Sequence, residues 1–150
     1  TLFRSPMHNS MRDMIDPDFT KPMVTCVRNP YDRFYSMYKY FIINTSKLKL
    51  SFEEFAKYYK EEYHDTRYYL HTQMHYITYD DKIIATDILR FENLEEDWKM
   101  FCKKYNLKLK LKHLRKNEKE SIQYSDYVKS VVEDVFSDDI ILWKNMSKEV

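Results

Sequence analysis

Apolar residues along this chain recur mostly at helical spacing and bunch or alternate as strands require in only a few places. Phe34, Met37, Tyr38 and Phe41 fall on one stripe of a helix predicted from Pro30 to about Asn44. Ahead of it, Met23 to Val27 is a short β-rich run that reads as a buried strand, and Ile83 to Phe91 contains a second. Ser51 with Glu54 makes a capping box that opens a helix reaching about Glu62. Further helices are expected from Asn9 to Ile15, broken by Asp16-Pro17-Asp18, from Thr66 to Ile77, and from Asn93 to Tyr105, where Asn93 and Glu96 read as another capping box. Leu107, Leu109 and Leu111 alternate with lysine and predict an extended segment. Tyr124 to Phe136 reads as an amphipathic helix, followed by a brief helical turn from Asp138 to Trp143.

Composition narrows the picture. The 150 residues suffice for one domain with a real core and hardly for two. Fourteen Tyr and nine Phe make that core aromatic, so some phenol hydroxyls need partners. With 25 basic against 24 acidic residues the chain is no general nucleic-acid binder, and any anion site must be local. Nine of the seventeen residues from Lys103 to Lys119 are Lys, Arg or His, a run that is ordinarily a solvated face. Cys26 and Cys102 make no disulfide framework and read as two buried free thiols. No run approaches the roughly 18 apolar residues of a membrane span. The absence of glycine, with 18 Lys against 7 Arg, suggests an AT-rich coding sequence of microbial or viral origin, which implies a cytoplasmic location.

The segment Val27-Arg28-Asn29-Pro30-Tyr31-Asp32-Arg33-Phe34-Tyr35-Ser36 carries the most specific chemistry. It places Arg28 at the carboxyl end of the first strand, where α/β proteins bind ligands. Asn29 suits the cap and Pro30 the first turn of the next helix. Ser36 lies two turns in, and guanidinium with hydroxyl is a phosphate-binding pair.

Residues 28 to 36 match, at every fixed position, the pattern Arg-(Asp/Asn)-Pro-x-(Asp/Glu)-Arg-x-x-Ser. The chain thereby resembles the sulfotransferases that use 3′-phosphoadenosine 5′-phosphosulfate (PAPS), in which this motif binds the 3′-phosphate. Ile88 to Trp98 is similar to a later strand-to-helix segment of that family and bears on fold rather than catalysis. Lys112-His113-Leu114-Arg115-Lys116-Asn117-Glu118-Lys119 looks like the late basic loop of carbohydrate sulfotransferases, especially those acting on the 2-O position of uronic acid in heparan or dermatan chains. The resemblance implies an α/β, P-loop-NTPase-like fold, a parallel sheet flanked by helices, over one domain of residues 1 to 150. It implies that Arg28 and Ser36 hold the 3′-phosphate, that Lys116, Asn117 and Lys119 cover the nucleotide, and that Arg115 meets an anionic acceptor. PAPS is then the co-substrate, no metal is required, and the partner is a carbohydrate or other hydroxyl acceptor.

Family members hold the 5′-phosphosulfate in a glycine-bearing loop, which a chain without glycine does not contain. The expectation is therefore either the carboxyl portion of a sulfotransferase domain, its sheet completed by strands upstream, or a reduced relative that binds differently. A eukaryotic glycan enzyme of this kind would act in the Golgi lumen behind an anchor absent from this sequence.

Sulfuryl transfer needs a base for the acceptor hydroxyl and positive charge near the departing phosphate. His8 stands about 20 residues before Arg28, near where the 2-O-sulfotransferases carry a catalytic histidine, and the resemblance assigns it the base's role. His71-Thr72-Gln73 is similar to a His-x-x-Gln segment that lines the acceptor side, with the spacing one residue shorter. His71 and His75, four apart on a predicted helix, lack a third metal ligand at useful spacing, leaving a structural or an acceptor-facing role. Two other readings stay open: a non-catalytic nucleotide- or glycan-binding module derived from a sulfotransferase, and a structural helical domain in which Arg28 pairs with Asp32 or another local acid.

Overall fold

A computed structural model describes residues 21–44, 49–63, 71–111 and 121–148. His8, Arg115, Lys116, Asn117 and Lys119, with the helix expected from Asn9 to Ile15, lie outside the described residues. The architecture is mixed α/β, rich in helix, with a small parallel sheet. Strand β1 (Val24–Val27) leads into helix α1 (Pro30–Asn44), and α2 (Phe52–Tyr58) follows, continued by a π-helical turn at Tyr59–Tyr63. A short helix α3 (Gln73–Ile77) runs into the hairpin of β2 (Thr78–Tyr79) and β3 (Lys82–Ile83). Strand β4 (Asp87–Arg90), a 3-10 turn at Phe91–Asn93 and α4 (Leu94–Lys104) come next, and α5 (Asp126–Val135) and α6 (Ser137–Lys148) complete the order.

Local chemistry accounts for the element ends. Asn29 accepts from the Tyr31 N–H at 2.9 Å and its carbonyl takes the Arg33 N–H, so it caps α1 with Pro30 in the first turn. The capping box at Ser51 and Glu54 is formed in both directions. Ser125 caps α5 through the Val128 N–H. The chain has no glycine, yet three described positions adopt left-handed backbone, and all are Asp or Asn: Asp80, Asp81 and Asn106. These residues tolerate that region best after glycine. Asp80 and Asp81, with φ of 47° and 58°, give the positive pair that a tight hairpin between β2 and β3 demands. Asn106 closes α4 in a Schellman arrangement, with Leu107 N–H on the Cys102 carbonyl and Asn106 N–H on that of Lys103.

Two cores form. In the larger, Phe34 is fully buried, and its ring meets those of Phe52, Phe55, Tyr59 and Phe136 at centroid distances between 5.3 and 5.8 Å. Val128, Val131 and Val132 of α5 and Ile140 of α6 complete it. The smaller core packs α4 on the sheet through Leu89, Phe101 and Cys102, flanked by Val24, Leu94 and Trp98. Strands β1 and β4 pair in parallel, from Val24 opposite Asp87 to Val27 opposite Arg90, so both run out at the same edge.

The strand expected within Ile83 to Phe91 is Asp87–Arg90, entered after Ile83 has closed the β2–β3 hairpin and Thr86 has tied the new strand to Met23. Other expectations are corrected. Of the helix expected from Thr66 to Ile77, the described helical part is Gln73–Ile77, capped by Thr72 on the His75 N–H. The brief turn near Trp143 is a full helix, its amino end built into the core by Ile140 and Asp139. Cys26 is exposed rather than buried, since the described sheet has two strands. Asn93 forms no capping box: its side chain donates to Asp97 at 2.9 Å, within a cluster that also takes Arg90.

Candidate functional site

The parallel pair ends with Val27 opposite Arg90, and the two turns beyond it build the site. Among the described residues, the main chain of Arg28 has no strand residue opposite it. Instead, the Gln73 side-chain amide fills that place, accepting from the Arg28 N–H at 2.8 Å and donating to the Arg28 carbonyl at 2.9 Å. Asn29 N–H donates to Glu92 at 2.6 Å, and the other carboxylate oxygen of Glu92 faces the Trp143 indole N–H at 3.4 Å. The turn after β1 is thus held to the turn after β4, with α3 at its side.

The Arg28 guanidinium lies over the Phe91 ring, 4.8 Å from its centre, and makes no ion pair among the described residues. A cation in this position is attracted by the negative face of the ring. Phe91 itself is half exposed. Asp32 is engaged elsewhere, accepting from the Tyr124 hydroxyl at 2.6 Å. That contact and the burial of Tyr124 push its phenol upward, burial being the larger cause. The reading in which Arg28 merely pairs with Asp32 does not describe this arrangement. Arg28 stands two residues before Pro30, the positive end of the 15-residue α1, and Ser36 sits half-buried further along that helix.

Beneath Arg28 lies a buried polar layer. Asp139 of α6 is wholly buried and accepts from the Gln73 N–H at 2.7 Å and the Met74 N–H at 2.8 Å. Burial pushes its carboxyl up, opposed by those two N–H groups and by Arg33. Arg33, the second arginine of the motif, donates to the His71 carbonyl at 2.7 Å and stands over Phe136. Burial lowers its guanidinium and Asp139 counters. Arg33 is therefore internal scaffolding, while Arg28 is half-buried and lies over the half-exposed Phe91 ring.

His71 is half-buried, and its ring stacks on that of His75 with centroids 4.3 Å apart. It is joined to the Arg28 turn through Arg33 and through Gln73, two residues on. Among the described residues no group of three or more His, Cys, Asp or Glu side chains could hold a metal ion, and no helix is long and apolar enough to cross a membrane. An open cleft of about 400 Å³ beside Met23, Tyr79 and Thr86 lies at the opposite end of the strands from Arg28.

Sequence reasoning did not single out Gln73, Asp139, Phe91 or Glu92. Glutamine in His71-Thr72-Gln73 was visible as part of a pattern, but its bond to Arg28 spans 45 residues, and Asp139 in a Ser-Asp-Asp run reads locally as an ordinary helix start.

A family model described as "Sulfotransferase family" matches residues 2–143. No curated protein and no solved structure matches the chain.

Proposed function

The chain belongs to the sulfotransferase family, whose model spans nearly all of it, and from that premise we propose that it takes part in transfer of a sulfuryl group from PAPS to a hydroxyl of a carbohydrate acceptor. One observation carries the reading: the motif arginine, Arg28, is presented at the carboxyl edge of a parallel pair, its main chain held by Gln73 and its guanidinium stacked on Phe91. Arg28 and Ser36 bind the 3′-phosphate. Lys116, Asn117 and Lys119 cover the nucleotide, and Arg115 and His71 meet the acceptor, which is anionic where Arg115 touches it. His8 takes the proton from the acceptor hydroxyl as the oxygen–sulfur bond forms and the bond from sulfur to the departing phosphate breaks.

Calorimetric titration with adenosine 3′,5′-bisphosphate tests this. The wild-type chain is expected to bind at micromolar level. Arg28→Ala should weaken binding about 30-fold or more, the worth of a charge-assisted phosphate contact, and Ser36→Ala about tenfold. Equal affinity in wild type and Arg28→Ala would overturn the site. Binding without turnover on any hydroxyl acceptor would identify a binding module.

A further inference from the structure

We propose that Gln73, held in place by Asp139, is a positioning residue for anion binding by Arg28, so that α6 sets the geometry of the nucleotide site through α3. This rests on the reading of Arg28 as the 3′-phosphate ligand. Beyond the last β1–β4 pair, the peptide at Arg28 satisfies its N–H and carbonyl without a neighbouring strand among the described residues. The Gln73 amide does both at once, at 2.8 and 2.9 Å, and so fixes the direction in which the Arg28 side chain leaves the sheet.

Gln73 is itself immobilised. It is 8% exposed, and its own N–H and that of Met74 are each held by one oxygen of the fully buried Asp139. Helix α3 has only five residues, too short to persist on its own. Asp139 and the Thr72 hydroxyl together satisfy its N–H groups at Gln73, Met74 and His75. An interior carboxylate spent on two backbone amides of so small a helix has a function if that helix must hold one side chain steady. Gln73 is that side chain.

The chemistry of an amide supplies the test. Glutamate at this position has the same shape, but only its protonated form can both donate to the Arg28 carbonyl and accept from the Arg28 N–H. Around it stand Arg28 at the end of β1, Arg33 of α1, Asp139 of α6, Glu92 after β4, and His71 and His75 of its own segment. Burial and the neighbouring Asp139 raise such a carboxyl above the ordinary range, and the two arginines oppose this. Gln73→Glu is therefore neutral and competent at low pH and loses its donor as pH rises.

Affinity for adenosine 3′,5′-bisphosphate is measured for wild type, Arg28→Ala, Gln73→Glu and Gln73→Met between pH 5 and 8, with circular dichroism at each pH and below each melting midpoint. Expressed relative to wild type at the same pH, Gln73→Glu should bind within about threefold at pH 5 and about tenfold or more weaker at pH 8. Gln73→Met, which can make neither bond, should be weakened by about tenfold throughout. If Arg28→Ala loses binding while both Gln73 variants, still folded, match wild type across the range, the positioning role is overturned and the Arg28 site survives. Failure of the wild-type chain to bind would instead overturn the reading beneath it, and this inference with it.

Discussion

Replacing Asp97 by asparagine should remove a pH-dependent part of the stability that holds the turn after β4. Asp97 is 9% exposed and accepts from the Arg90 N–H at 2.7 Å, from Arg90 Nε at 2.9 Å and Nη2 at 2.5 Å, and from Asn93 Nδ2 at 2.9 Å. The Arg90 side chain, foremost, then the Arg90 backbone and Asn93, hold its carboxyl at about 2, below the ordinary 3.8, against a smaller opposing effect of burial. At about 1.4 kcal/mol per pH unit this is about 2 kcal/mol in favour of the folded state. The folded-state value is depressed, so the contribution is complete above the unfolded value near 4 and is lost as pH falls through about 2.

Asparagine cannot pair with both edges of the guanidinium and leaves it partly unsatisfied. Asp97→Asn should therefore be less stable than wild type by about 2 kcal/mol at pH 7, and the gap should narrow as pH falls from about 5 toward 2, where the wild-type side chain is itself protonated. Urea unfolding followed by tryptophan fluorescence at pH 7, 5 and 3 measures it, with Trp98 on the same helix as reporter. A gap that stays constant over that range would refute the linkage, and one below about 0.5 kcal/mol at pH 7 would refute the magnitude. The turn it braces carries Phe91, over which Arg28 lies, and Glu92, which holds Asn29; on the proposed reading of Arg28, affinity for adenosine 3′,5′-bisphosphate should fall in the variant as well.

Other outcomes follow from local geometry. Ser51→Ala removes both the cap on the Glu54 N–H and the reason for Glu54 to fold back, and should cost about 1 kcal/mol by thermal unfolding; an unchanged midpoint would mean that α2 is held by packing alone. Asn106 has a φ of 52°, so Asn106→Val should lose about 1 to 2 kcal/mol while Asn106→Gly matches or exceeds wild type in urea midpoint. Equal stability of the valine and glycine variants would contradict a left-handed end to α4.

The parts legible in the sequence share a short reach. Asn29, Pro30 and the stripe of Phe34, Met37 and Phe41 specify α1, because capping and helical periodicity act over three or four residues. Ser51 with Glu54 was readable for the same reason. The same signal misled at Asn93, where a capping-box spacing to Glu96 lost to Asp97, one residue further on, whose carboxylate gathers a charged partner as well. The run from Ile83 to Phe91 does contain a strand, Asp87–Arg90, but an apolar run does not reveal where the preceding hairpin closes. Cys26 was read as buried because it lies in an apolar run, whereas burial depends on what packs against that face.

By itself, the sequence determined that an arginine would stand at a strand end before a capped helix. Only the tertiary structure decided how it is held. The Arg28 peptide is completed by Gln73, 45 residues away, and Gln73 by Asp139, 66 further on, while Asp32 is claimed by Tyr124 across 92 residues. The two arginines of one motif were given different partners by the same packing, Arg28 the Phe91 ring and Arg33 the His71 carbonyl. Such contacts leave no local trace, because a buried peptide group at the end of a strand must be satisfied by something, and which distant side chain reaches it follows from how the helices close over the core.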